Sequence, residues 1–105
     1  VATFYLGTQR NVDTSPVAVV TSTSDSTIVL SILVSNTDGA LACDATCSIN
    51  NGSTVVSYVA HTIAVPADAN VDLIANKLIL PSGRSLRMSA SNSGDLDAAI
   101  SYVVV

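Results

Sequence analysis

Apolar and polar residues alternate along most of this chain, and turn residues break the alternation at short intervals. In 85–91, Leu86, Met88 and Ala90 alternate with Ser85, Arg87 and Ser89. In 97–105, Ile100, Tyr102 and Val104 fall opposite Ser101 and Val103. In 28–34, Ile28, Leu30, Ile32 and Val34 fall on one face and Val29, Ser31 and Leu33 on the other. One of those faces is wholly apolar and the other mixed, as a central strand requires. A period of two predicts strands over 3–6, 17–22, 28–34, 42–49, 54–65, 71–75, 77–80, 85–91 and 97–105. The breaks between them are Ser24-Asp25-Ser26, Asp38-Gly39, Asn51-Gly52, Pro66 to Asn70, Ser82-Gly83 and Ser93-Gly94-Asp95. Asn51-Gly52 reads as a two-residue hairpin turn, because that dipeptide tolerates positive φ. Residues 70–78 compete as a helical turn, with Val71, Ile74 and Leu78 on one face and Asp68 or Asn70 as its cap. The strand reading is preferred because Leu78-Ile79-Leu80 runs into Pro81. Short strands at regular spacing predict an all-β fold, a single-domain antiparallel β-sandwich over 1–105. It is expected to be immunoglobulin-like or jelly-roll-like, with about seven to nine strands.

Composition strengthens this picture. The chain has 105 residues, with 15 Val, 10 Thr and 15 Ser, but no Glu and one Lys. Exposed helix faces need Glu, Lys, Gln and Arg, so a helical domain is nearly excluded. A hydrophobic fraction of 49% leaves enough apolar surface to fold, which tells against disorder. The net charge of −4 with four basic residues cannot neutralise a phosphate backbone, so no nucleic-acid partner is expected. No apolar run approaches the roughly 20 residues that span a bilayer, so no membrane partner is expected. Val1-Ala2-Thr3 has no basic or apolar leader character, so a secretory leader is not expected.

Cys43 and Cys47 sit in the alternating run Cys43, Ala45, Cys47, Ile49. Both thiols therefore face inward. Four residues apart in a strand, their Cα atoms lie roughly 13 Å apart. A disulfide needs less than about 7 Å, so both read as buried free thiols. His61 is the one histidine, and alternation puts it on a face with Val59, Ile63 and Val65. It reads as a partly buried, hydrogen-bonded imidazole or a contact between subunits. Asp68, Asp72, Asp95 and Asp97 could supply paired carboxylates, but no nucleophile or metalloprotease motif accompanies them. Asp95-Leu96-Asp97 and Asn36-Thr37-Asp38 are weak matches to a calcium loop and read as turn chemistry. No catalytic residue, metal or cofactor is expected.

The remaining signal lies on the surface. Few charges guard the strand edges, and one Lys is little protection against edge-to-edge pairing. The segments 3–6 and 97–105 are apolar and are expected to pair within a sheet or meet another chain. Phe4, Tyr5, Tyr102, Val103, Val104 and Val105 are the candidate inter-subunit edge residues.

One resemblance follows from these stretches. Pro16-Val17 through Thr27 to Asn36, then Val65-Pro66-Ala67, Leu78-Ile79-Leu80-Pro81-Ser82-Gly83 with Leu86, and Ile100-Ser101-Tyr102-Val103 resemble small virion structural proteins of tailed bacteriophages, cyanophage types above all. The resemblance covers most of the chain from about residue 16, and its motifs are structural rather than catalytic. That family often carries Gly-Asp at the turn where Gly83-Arg84 stands here, so a shared acidic contact there is in doubt. The resemblance implies a β-sandwich in the virion, assembled in the host cytoplasm. A capsid decoration (cement) protein is the favoured form, a 10.7 kDa subunit suited to a homotrimer bound to the major capsid protein. A neck- or tail-associated protein bound to other virion proteins is the first alternative, and a host-surface polysaccharide-binding module the second.

Overall fold

A computed structural model describes residues 2–23 and 26–105. Nine strands form among them. They are β1 (Thr3–Gln9), β2 (Val17–Thr21), β3 (Thr27–Asn36), β4 (Cys43–Asn51), β5 (Thr54–Val65), β6 (Asn70–Asp72), β7 (Leu78–Leu80), β8 (Arg84–Ala90) and β9 (Leu96–Val104). The expected break at Ser24-Asp25-Ser26 lies partly outside the described residues.

The pairings are antiparallel and nested. The β4–β5 hairpin is innermost, β3 pairs with β6 and β7 around it, β2 pairs with β8, and β1 pairs with β9. Folding this long ladder over itself deals the pairs alternately into two sheets. One runs β1-β9-β3-β6, with β7 also on β3, and the other runs β2-β8-β4-β5. Counting β6 and β7 as one interrupted strand, this is the eight-stranded jelly-roll order. The immunoglobulin-like option is set aside, because that fold pairs its first two strands in one sheet. Here β1 and β2 lie in different sheets.

The core is the set of inward residues that alternation selects. Ile32, Leu80, Leu86, Met88, Leu96 and Ile100 are fully buried between the sheets. Each such side chain contributes about 1.5–3 kcal/mol by leaving water. In β8 and β9 the sequence pattern carries straight through: Leu86, Met88, Leu96, Ala98 and Ile100 face in, and Val103 falls opposite.

Strand β3 departs from its predicted face. Ile28, Leu30, Ile32 and Val34 were expected to share one side, yet Val29, Ile32 and Val34 are the buried residues. A register shift against β9 between Val29 and Ser31 is the reason. Leu30 is the extra residue of a bulge, and one extra residue inverts the phase on either side of it. The strand expected over 71–75 is also shorter, ending at Asp72. There the Asp72 carboxylate accepts hydrogen bonds from the Ile32 and Ile74 N–H groups, at 3.1 and 3.2 Å. A side chain thus replaces a ladder partner in the gap between β6 and β7. No helical turn forms in 70–78.

At Gly7, β1 passes close to β2 of the other sheet. A Cβ there would lie 3.1 Å from Val20 Cγ2 and 3.3 Å from the Val19 carbonyl oxygen. Backbone cannot yield as a flexible side-chain end can. Gly7→Ala is expected to lower stability by about 1–3 kcal/mol, the usual cost of overpacking. A urea midpoint equal to that of the parent would mean that β1 and β2 are not held this tightly.

Candidate functional site

The residues with catalytic chemistry are dispersed. Asp97 accepts a hydrogen bond from Asn11 N–H at 2.9 Å and pairs loosely with the exposed Arg10 at 3.6 Å. Asp38 caps Ala40 N–H, and Asp72 serves the β3 gap. Asp68 sits in a turn with φ +56°. Asn36 is buried as a clamp: its Nδ2 donates to the carbonyls of Leu41 and Val65, and its Oδ1 accepts from Asp38 N–H. Among the described residues, no three His, Cys or acidic side chains gather as a metal-binding group.

Cys43 and Cys47 are both buried and free, as alternation indicates. Burial among apolar side chains pushes the Cys47 thiol up to about 12, from an ordinary 9.0. The unfolded chain therefore releases this proton first as pH rises, and stability is lost between about pH 9 and 12. The slope can reach about 1.4 kcal/mol per pH unit. Urea midpoints from about pH 8 to about 10.5, on either side of the ordinary thiol value of 9.0, are expected to fall more steeply for the parent than for Cys47→Ala. Parallel slopes would mean that the thiol is open to water.

His61 does not sit as alternation predicts. It is exposed, with its ring edge-on to Tyr58 at 4.7 Å. The cause is β5, whose pairing with β4 shifts register three times. Thr62 takes φ +51° at one of these shifts, a strained value for a β-branched residue. Its N–H donates to Thr46 Oγ1. The hairpin before β5 is also offset by one residue. Asn51 stays in β4 and pairs with Thr54, so Gly52-Ser53 form the turn, and the positive φ falls on Gly52. That is the position a type II′ turn gives to glycine.

Two surface features remain. The first is the β1 edge. Four other edge elements are blunted: β2 follows Pro16 and has a register shift, β5 has three, and β6 and β7 have three residues each. Strand β1 runs seven pairs against β9 without a shift, and Thr3–Gln9 carries neither charge nor proline. Its other side has no backbone partner among the described residues. The row Phe4, Val103, Ile28, Ile79 crosses four strands. It alternates with the row containing buried Val29, so it lies on the outer side. Phe4 is 72% exposed and Leu6, two positions along, is 63% exposed. Val103, between Phe4 and Ile28, is only 6% exposed. Tyr5 falls in the inner row and stacks on Tyr102 with ring centres 5.4 Å apart.

This arrangement corrects the candidate edge. Strand β9 is no edge: β1 covers one side of it and β3 the other. Of the six candidate residues, Phe4 and Tyr5 lie on the open strand. Tyr102, Val103 and Val104 lie on an interior one, and Val105 follows it, with its N–H donating to Ser26 O.

The second feature is a hollow of about 310 Å3 on the outer side of the four-stranded sheet. Thr46, Ser48 and Asn50 alternate with the inward run from Cys43 to Ile49, as Ser85, Arg87 and Ser89 do with Leu86, Met88 and Ala90. Pairing puts them side by side, Thr46 with Ser89, Ser48 with Arg87 and Asn50 with Ser85. The irregular β5 brings Tyr58 and His61 to the rim. Ser48 and Asn50 are 5% and 3% exposed although they face outward. Ser48 Oγ donates to Asn50 Oδ1 at 2.6 Å, and Arg87 Nη2 donates to Gly52 O at 3.1 Å. Arg87 Nε is enclosed without an acceptor. A second hollow, of about 300 Å3, lies beside the Arg10–Asp97 pair on the other sheet.

The class these features define is a small jelly-roll β-sandwich with an open strand edge and a polar hollow on the opposite sheet. Comparison with protein-family models, curated proteins and solved structures finds no match to this chain.

Proposed function

We propose that this protein is a non-enzymatic structural component that works by lateral assembly, and that the assembly is a virion of a tailed bacteriophage. The observation that carries the proposal is the unguarded β1 edge with the apolar outer row beside it. An open strand recruits another strand by backbone hydrogen bonds, and flanking apolar side chains fix its register. Pairing β1 with β1 of a second copy closes a two-fold dimer. A trimer about a three-fold axis is served instead by the outer row of Phe4, Val103 and Ile28, leaving β1 for a capsomer edge. The resemblance to phage virion proteins supports a place in the virion without separating capsid from neck or tail. Capsid decoration is preferred because a compact 10.7 kDa subunit suits a site repeated in many copies, where many modest contacts act together to hold neighbouring capsomers. Jelly-roll order is compatible with this role but is shared by lectins, so the fold alone does not select it.

The test is the position of the chain in purified particles, read by immunogold labelling or cryo-electron microscopy. Label over the capsid shell is the expected result. Label confined to the neck or tail would move the protein to that alternative, and its absence from particles would overturn the virion reading.

A further inference from the structure

We propose that the hollow on the four-stranded sheet binds a single anionic sugar residue, a pyranose ring bearing a carboxylate. Four observations converge on this ligand. First, Arg87 is a cation without a carboxylate partner among the described residues. One of its donors is used, on Gly52 O, and Nε is enclosed, so the Nη1 end of the guanidinium is what a ligand in the hollow meets. A guanidinium presents five N–H donors in a fixed fork that matches a carboxylate. Second, Asn50 is almost wholly buried, yet no hydrogen bond engages its Nδ2. Its Oδ1 is held by Ser48, so the amide is oriented with its donor side unspent. Among the described residues Arg87 Nε is the one fully enclosed side-chain donor without a partner, so Asn50 Nδ2 still reaches solvent, where a ring hydroxyl can accept from it. Third, Tyr58 stands exposed at the rim, held edge-on by His61. Its face can cover the apolar side of a sugar ring. Fourth, about 310 Å3 is at the small end of ligand pockets, suited to one ring and not to a folded partner.

The competing ligands fit less well. A nucleic-acid strand needs a track of cations, and here one Arg stands in a chain of net charge −4. A neutral sugar leaves the guanidinium unpaired. A bare carboxylate uses Arg87 but neither Asn50 nor Tyr58. This site is independent of the assembly surface, which lies on the other sheet.

The experiment is an NMR titration of the 15N-labelled chain with sodium glucuronate, sodium acetate and glucose. Glucuronate is expected to give saturable shifts at Thr46, Asn50, Tyr58 and Arg87, with Kd on the order of 1 mM. Glucose and acetate are expected to bind at least about tenfold more weakly, since each keeps only part of the contacts. Arg87→Met is expected to weaken glucuronate binding at least about tenfold, with little recovery in Arg87→Lys, which lacks the fork. Tyr58→Ala, at an exposed position, is expected to weaken it about fivefold while folding normally. That variant decides the matter should Arg87→Met fail to fold. Glucose binding as well as glucuronate, acetate matching glucuronate, or no shift at about 50 mM glucuronate would each overturn the site. Loss of assembly in a β1 variant with unchanged glucuronate binding leaves the two proposals separately decided.

Discussion

Removal of Val103, Val104 and Val105 is expected to destabilise the domain by about 4 kcal/mol. The estimate combines one buried valine at about 2 kcal/mol with a few ladder hydrogen bonds at about 1 kcal/mol each. Val103 lies between Phe4 and Ile28, and Val104 between Thr3 and Thr27. The deletion therefore strips partners from two strands at once, at the end of a central strand. A domain of this size has only about 5–15 kcal/mol in total, so the loss is a large share. The urea midpoint of the truncated chain reads it directly. Val105→Thr is the control: that side chain is half exposed, so the change should stay within about 0.5 kcal/mol. A truncated chain with the parent midpoint would mean that β9 does not close the ladder at this end. Reduced particle occupancy of the truncated chain would reflect unfolding, so this deletion cannot locate the interface.

The interface is read instead at β1. Phe4→Lys combined with Leu6→Lys is expected to abolish self-association or capsomer binding while leaving the fold intact. Both side chains are mostly exposed in the single chain, so the substitutions should cost it little. Two apolar side chains buried at an interface supply about 3–6 kcal/mol together, which is roughly 10²- to 10⁴-fold in affinity. Lysine also places a charge on an open edge, the device by which β proteins prevent edge pairing. Sedimentation velocity and circular dichroism separate the two effects. A species that still associates, with unchanged affinity and native dichroism, would remove β1 and the outer row from the assembly.

The strand positions were largely legible in the chain, because burial on one side of a sheet writes itself as a period of two. Segments 54–65, 85–91 and 97–105 were found within one residue, and the nesting of turns between them set the number of strands. Cys43 and Cys47 were also legible: short separation in an extended strand excludes a disulfide without any tertiary knowledge. What alternation misread has one cause. The bulge at Leu30 and the three shifts in β5 each insert a residue, and every residue beyond changes side. That moved Ile28 outward and placed His61 beside Tyr58. No local signal announced these shifts, since they are settled against a partner strand, the distant β9 for Leu30 and the hairpin neighbour β4 for β5.

The open edge and the hollow stand at different distances from the sequence. A scarcity of charge, no Glu and one Lys, already described a surface poorly defended against neighbours. Which strand would be left undefended depended on the order of strands, and that order made β9 interior and β1 open. The polar residues that β4 and β8 give the hollow were visible as the solvent side of two strands, Thr46-Ser48-Asn50 and Arg87-Ser89. Their meeting in one concavity required the register of β4 against β8 and the irregular path of β5. Sequence by itself thus determined the extended segments, their inward residues and the chain's poor charge protection, because these follow from each residue and its near neighbours. The tertiary structure alone decided which edge stays open among the described residues, which face carries His61 and where Arg87 meets the polar side of β4. Those outcomes depend on how one strand is paired with another, to which the periodicity within a single strand is blind.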